Sequence, residues 1–215
     1  MDPAEQTMAR EQQFQFNTSD VSVILGFFLD VMLYQPLTAR DLQEGNLKQP
    51  GLSKQAMEDV TNKGKVEWTM TKLKDAKLGI IHFVLTPIFT DSERLPLLIA
   101  GVCDSNQQVA STCEDGMRKW IGSVDYEDKK TIQTLYRLYL GTKDEKDPRL
   151  QASTPIKIRV LQYLTKSVAA ANMNTHMIQV VFDGIYGETT TPKLQRFAFS
   201  FLQWCARVVS DYIFF

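Results

Sequence analysis

The chain has 215 residues, 44% hydrophobic and 23% charged, with a formal net charge of −1. That length can bury a core, and the near-neutral balance removes any bulk electrostatic pull toward nucleic acid or an anionic membrane. Three scattered cysteines (Cys103, Cys113 and Cys205), with no basic-then-apolar leader ahead of them, fit a reducing compartment rather than a disulfide framework.

Residues 1–18 are polar and Gln-rich and read as a disordered leader. A first helix is expected over 19–34, with Ser19 or Thr18 as cap and an end before Pro36. It contains the most apolar stretch, VSVILGFFLDVMLY at 21–34. That stretch falls short of the roughly 20 residues that cross a bilayer, and Asp30 interrupts it, so it reads as a buried helix without membrane insertion. Residues 35–67 mix Pro, Gly and charge without periodicity and read as a long loop or poorly ordered insertion, with a short helical turn near 53–60.

From residue 68 the pattern becomes helical and stays so to 215. Leu73, Ala76, Ile80, Phe83 and Val84 share one helical face. Asp91 reads as the cap of SERLPLLIAGVC, where Pro96 is expected to bend or delay the helix. Val109, Cys113, Met117 and Ile121 recur at steps of four. Ile132, Leu135, Tyr136 and Tyr139 follow, closed by Gly141 in the position of a helix-ending glycine. Val160, Leu161, Leu164 and Val168 form the next stripe, then Met177, Ile178, Val181 and Ile185. The last stripe is Leu194, Phe197, Ala198, Phe201, Leu202, Cys205, Val208 and Val209. Period-two alternation is missing throughout, so the chain reads as all-α.

Two of these helices open alike. TPIKIRVLQYL begins at Thr154 and TPKLQRFAFSFL at Thr191, an offset of 37 residues. In each, Thr is placed to cap and Pro to occupy the first helical position. A third unit leaves LLIAGVCD and enters SNQQVASTC, so second helices are expected near 105, 154 and 191, at spacings of about 49 and 37. Paired helices at that period point to a right-handed α-solenoid of degenerate HEAT or armadillo-like repeats. The usual Asp–Arg ladder of such repeats is incomplete: Arg159 and Arg196 follow Thr rather than Asp.

Catalytic, cofactor-binding and metal-ligating residues are all assigned as none. TNKGK at 61–65 lacks the spacing and hydroxyl of a phosphate loop. His82 sits in an apolar run, and His176 has no ligand partner nearby. Glu114 and Asp115 are adjacent, so on a helix they point about 100° apart. Arg118, Lys119, Lys129 and Lys130 read as solvated faces, and Trp68, Trp120 and Trp204 as core residues.

KLGIIHFVL (77–85), LPLLIAGVCDSNQQVAS (95–111), IQTLYRLYLGT (132–142), TPIKIRVLQYLTKSVAAA (154–171) and IQVVFDGIYGETTTPKLQRFAFSFLQW (178–204) carry a family resemblance. Together with FFLDVML near the start, they resemble the HEAT-repeat proteasome adaptor and scaffold family, the Ecm-type proteasome-associated proteins, from about Trp68 to Trp204. The resemblance implies a non-enzymatic, cofactor-free role: binding the 26S proteasome, linking its core and regulatory particles, and contributing to proteasome assembly and protein catabolism. It also implies trafficking or cytoskeletal proteins as further partners, and the cytoplasm, with the nucleus as a second compartment. Family members are far longer, and the match falls toward their N-terminal part. The chain ends in VVSDYIFF, where a solenoid would continue, so a non-functional truncated isoform or fragment stands as an alternative. A small helical ligand-binding or enzymatic domain is a further alternative, and it needs an enclosed pocket around His82 or His176.

Overall fold

The computed structural model describes residues 18–37, 39–45, 49–63, 69–143, 148–172, 178, 181–182, 184–187 and 190–213. The fold is all-α: among the described residues, extended pairing is confined to isolated bridges at Ser53–Arg149 and Thr142–Arg149. The helices are α1 (Thr18–Leu33), α2 (Ala39–Glu44), α3 (Lys54–Lys63), α4 (Met70–Val84) and α5 (Asp91–Val102). They continue with α6 (Gln107–Trp120), α7 (Lys129–Leu140), α8 (Thr154–Leu164), α9 (Val168–Ala171) and α10 (Pro192–Ile213). The expected leader lies, Thr18 apart, outside the described residues, as do Trp68, His176 and Met177.

Local chemistry sets the helix starts. Thr69 accepts the Lys72 N–H at α4, and Asn106 accepts those of Gln108 and Val109 at α6. Asp128 accepts the Thr131 N–H at 2.8 Å to open α7. At α5 the cap position belongs to Thr90, not Asp91. Thr90 donates its N–H and its hydroxyl to Glu93, each at 2.8 Å, while Asp91 is the first helical residue. Pro96 lies inside α5 without delaying its start.

The two Thr-Pro pairs, expected to act alike, differ. Thr191 caps α10: its hydroxyl accepts the Leu194 N–H at 3.2 Å, and Pro192 is the first helical residue. At α8 the helix begins one residue earlier, so Ser153 holds the cap position and Thr154 is already helical.

Stacked helix pairs organise the molecule. α1 and α4 run antiparallel, because Phe28 meets Phe83 while Lys77 reaches the Tyr34 carbonyl. α1 contacts α5, and α5 contacts α7, forming one layer. α4 contacts α6, and α8 contacts α10, in the other. α6 and α8 are joined by an ion pair, Glu114 to Arg159 at 3.8 Å. α5 packs against α1, α4, α6, α7 and α8 and is buried from Leu95 through Gly101. A helix with neighbours on every side must be apolar all round, which is why this stretch shows no stripe. Gly101 serves the same crowding: a Cβ there would lie 2.7 Å from both Cys113 Sγ and Met32 Cε.

The expected stripes were broader than the buried faces. On α10, Leu194, Ala198, Phe201, Cys205 and Val208 are buried, whereas Phe197 and Leu202 are half-buried and Val209 is exposed. On α4, Leu73, Ile80 and Val84 are buried, whereas Phe83 is exposed. Residues 35–67 contain α2 and α3, and their middle is tied down. Leu52 and Ser53 are buried, the Leu150 N–H donates to the Leu52 carbonyl at 3.1 Å, and the Lys54 N–H donates to the Pro148 carbonyl at 2.8 Å.

Candidate interaction surfaces

The residues singled out by chemistry do not converge. His82 is exposed in the last turn of α4. Cys113 and Cys205 are buried and Cys103 partly so. Burial pushes the Cys113 thiol up to about 12 and those of Cys103 and Cys205 to about 11, so none is a reactive thiolate. Cys113 Sγ instead donates to the Leu98 carbonyl. Glu114 pairs with Arg159 and Asp115 with Arg118, so the adjacent carboxylates serve different partners. Lys119, Lys129, Lys130 and Arg196 are exposed. Among the described residues, no group of three or more His, Cys, Asp and Glu side chains could hold a metal ion. Nor is any described helix long and apolar enough to cross a membrane.

Trp120 and Trp204 are half-buried, and each pins neighbouring elements. Trp120 Nε1 donates to Asp91 at 3.0 Å, with the Arg94 guanidinium 4.9 Å above its ring. Trp204 Nε1 donates to the Ser167 carbonyl at 2.9 Å, holding α10 against α9.

Three polar joints were not legible in the sequence. Asp30 accepts Arg149 Nη1 at 2.9 Å, the Ser53 N–H at 2.9 Å and the Ser53 hydroxyl at 2.8 Å. Arg149 also donates to the Gly26 carbonyl, so residues 53 and 149 are clasped onto α1. Lys77 Nζ lies 2.5 Å from Asp104 Oδ2, with both side chains 2% exposed, and also donates to the Tyr34 carbonyl. Burial holds the Lys77 amine below its ordinary value, against the opposing pull of Asp104. Glu127 accepts the N–H groups of Val168 and Ala169, capping α9 from the loop before α7. Charged residues in the sequence gave only one signal for these joints, namely that Asp30 interrupts an apolar run.

Two surface features remain. A groove of about 430 Å³ crosses the α1–α5–α7 layer, lined among others by Leu25, Leu29, Ser92, Pro96, Thr134 and Leu138. It is half open and mixed in polarity, and His82 is not among its lining residues, which is the character of a contact surface rather than an enclosed reaction chamber. A run of phenylalanine rings crosses the α1–α4 pair: Phe27 to Phe28 at 6.4 Å, Phe28 to Phe83 at 6.0 Å and Phe83 to Phe89 at 5.1 Å. Val23, Phe27, Phe83 and Ile88 leave this run open to solvent.

The chain is similar to two curated proteins. It is 28% identical over 166 residues to "Proteasome adapter and scaffold protein ECM29" of Homo sapiens, covering 71% of this chain and 9% of that protein. It is 26% identical over 142 residues to "Proteasome-associated protein ECM29 homolog" of Drosophila melanogaster, covering 65% of this chain and 8% of that one. The chain thus spans less than a tenth of the length of these relatives. No solved structure matches it significantly. The family described as "Proteasome component ECM29, N-terminal" matches residues 2–214, and the chain belongs to that family.

Proposed function

We propose that this chain is a protein-binding adaptor segment that associates with the 26S proteasome, helps link its core and regulatory particles, and thereby contributes to proteasome assembly and protein catabolism. The observation that supports this is the family match over residues 2–214, with relatives named for proteasome association. The stacked pairs α5–α6 and α7–α8, continued by α10, suit a short stretch of right-handed HEAT-like solenoid over residues 68–215, with the first helix at 19–34, ahead of the 35–67 insertion, packing on α4 and α5 at its start. A solenoid binds through an extended surface built from successive helices. The α1–α5–α7 groove is such a surface and is the contact assigned here to the proteasome. The cytoplasm and nucleus, where proteasomes work, are the compartments this role requires.

The test is direct. Purified 26S proteasome is passed over the immobilised full chain, and separately its dissociation into core and regulatory particles is followed on native gels with and without added chain. Retention of the particle and slower dissociation are expected. Ser92→Arg with Thr134→Arg, which fills the groove at two half-buried positions, is expected to lower retention at least tenfold while leaving the helical circular dichroism unchanged. Retention no greater than on an unrelated helical protein would overturn the reading.

A further inference from the structure

We infer that the groove across α1, α5 and α7 takes an extended peptide segment of its partner, and that a backbone N–H of this segment donates to the Ser92 carbonyl. The inference rests on the proposed function, because it names what enters the groove assigned there to the proteasome. Its source is Pro96. This residue is buried inside α5 and lines the groove together with Ser92, one turn before it. The helical ladder is already running there, since the Arg94 N–H donates to the Thr90 carbonyl at 3.1 Å. By the same ladder the Ser92 carbonyl is due the N–H of residue 96, and proline has none. A helical carbonyl points along the axis toward the residue four ahead. Both residues line the groove, so the unserved oxygen opens toward it.

The surroundings set what an occupant must bring. Leu25, Leu29, Leu97 and Leu138 give the groove its apolar lining. Polar groups beside Ser92 act as acceptors. Thr134 spends its hydroxyl proton on the Lys130 carbonyl at 2.9 Å, and Glu93 takes both Thr90 donors through Oε2. The Arg149 guanidinium is turned to Asp30 and to the Gly26 carbonyl. An occupant that fills the groove keeps solvent from the Ser92 oxygen, and binding is weakened unless it replaces that hydrogen bond. A docked helix has its own N–H groups engaged internally and offers only side chains. An extended segment carries unserved N–H groups and alternates its side chains, so one N–H can serve Ser92 while neighbouring residues meet the leucines. The volume of about 430 Å³ lies in the range of small-ligand sites and suits a few residues of such a segment.

The experiment measures retention of purified 26S proteasome on the immobilised full chain, for the parent, Pro96→Ala and Pro96→Val. Either substitution supplies the missing N–H and engages the Ser92 carbonyl within the helix, and the two side chains bracket proline in size. Each is expected to lower retention about fivefold, the effect of one lost hydrogen bond, at low and high salt alike. The urea midpoint is expected to stay level or rise, because a proline leaves a helix interior, which separates the loss from unfolding. Ser92→Arg with Thr134→Arg distinguishes the two readings. If that pair lowers retention and the Pro96 variants bind as the parent does, the groove stands and the extended segment is overturned. If neither lowers it, the groove reading falls and this inference with it. A loss confined to low salt would overturn the inference too, since a cationic side chain would then be the donor to Ser92. So would a dimer in sedimentation that Pro96→Val abolishes, since the groove would then hold a second copy.

Discussion

Asp30 shows how a residue legible in the sequence only as an interruption is explained by structure. In the string it interrupts the most apolar segment. In the fold it faces Arg149 and Ser53 and collects three donors. With the Arg149 side chain 9% and that of Asp30 16% exposed, breaking the pair strands a largely desolvated charge. Asp30→Asn is expected to cost about 3 kcal/mol, read as a lower urea midpoint at unchanged slope. The nearly isosteric amide separates loss of charge from loss of volume. Buried neutral groups set the alkaline limit. Cys113 titrates at about 12 and Cys103 and Cys205 at about 11, against an ordinary 9.0, and burial also raises Tyr136 and Tyr139 above their ordinary 10.0. Above pH 9 the unfolded chain gives up these protons first, so the folded state binds more of them and stability falls as pH rises. Lys77 and Lys157, whose amines burial holds below their ordinary value, work in the opposite direction, but two amines are outweighed by three thiols and the tyrosines. Urea midpoints are therefore expected to decline steadily from pH 9 to 11, and a flat profile would contradict this.

At the level of helices and turns, legibility follows the range of the interactions. The starts expected near 105, 154 and 191 correspond to α6 at Gln107, α8 at Thr154 and α10 at Pro192, because capping chemistry is local and written within four residues. The face of α7 and three of the four positions of the α6 stripe were equally readable, since Val109, Cys113, Met117, Ile132, Leu135, Tyr136 and Tyr139 are all buried, whereas Ile121 is half-buried in the turn after α6. Two kinds of element were not. α5 is apolar on every side, so periodicity could not give its orientation. α2 and α3 carry little apolar surface, and residues 52–54 are held by Pro148, Arg149 and Leu150, nearly a hundred residues away, which no short window contains. The candidate surfaces were the least readable, since a groove exists only once α1, α5 and α7 are assembled. Gly141, by contrast, was read correctly as a helix-ending glycine. Its φ is 71°, and a Cβ would lie 2.5 Å from the Arg149 carbonyl oxygen. Gly141→Ala is expected to cost about 1–3 kcal/mol through that strained backbone and collision, measured by chemical denaturation.

Across the whole molecule, one continuous core runs from Val31 on α1 to Val208 on α10. Unfolding is expected to be a single transition for circular dichroism and for Trp fluorescence alike, because Trp120 on α6 and Trp204 on α10 both pack against that one core. Hydrogen exchange should rank the parts. Amides of α5, enclosed by five helices, are expected to open only with global unfolding, and those of α2 far sooner. Exchange in α5 faster than global unfolding allows would show the pairs acting as separate units. The clasp of Arg149 on Asp30 has a consequence of another kind. Helix pairs adjacent in sequence need only short excursions of the chain to meet, whereas this contact joins positions 119 residues apart. Entropy defers such a closure until the intervening pairs are in place. The clasp is then a late latch, absent from the rate-limiting step and present in every native molecule. Arg149→Leu is expected to hasten unfolding and leave the refolding rate nearly unchanged in stopped-flow chevrons, whereas equally slowed refolding would place the clasp in the nucleus. A chain assembled from near neighbours would in this way owe its lifetime, rather than its speed of assembly, to a contact between distant parts of its sequence.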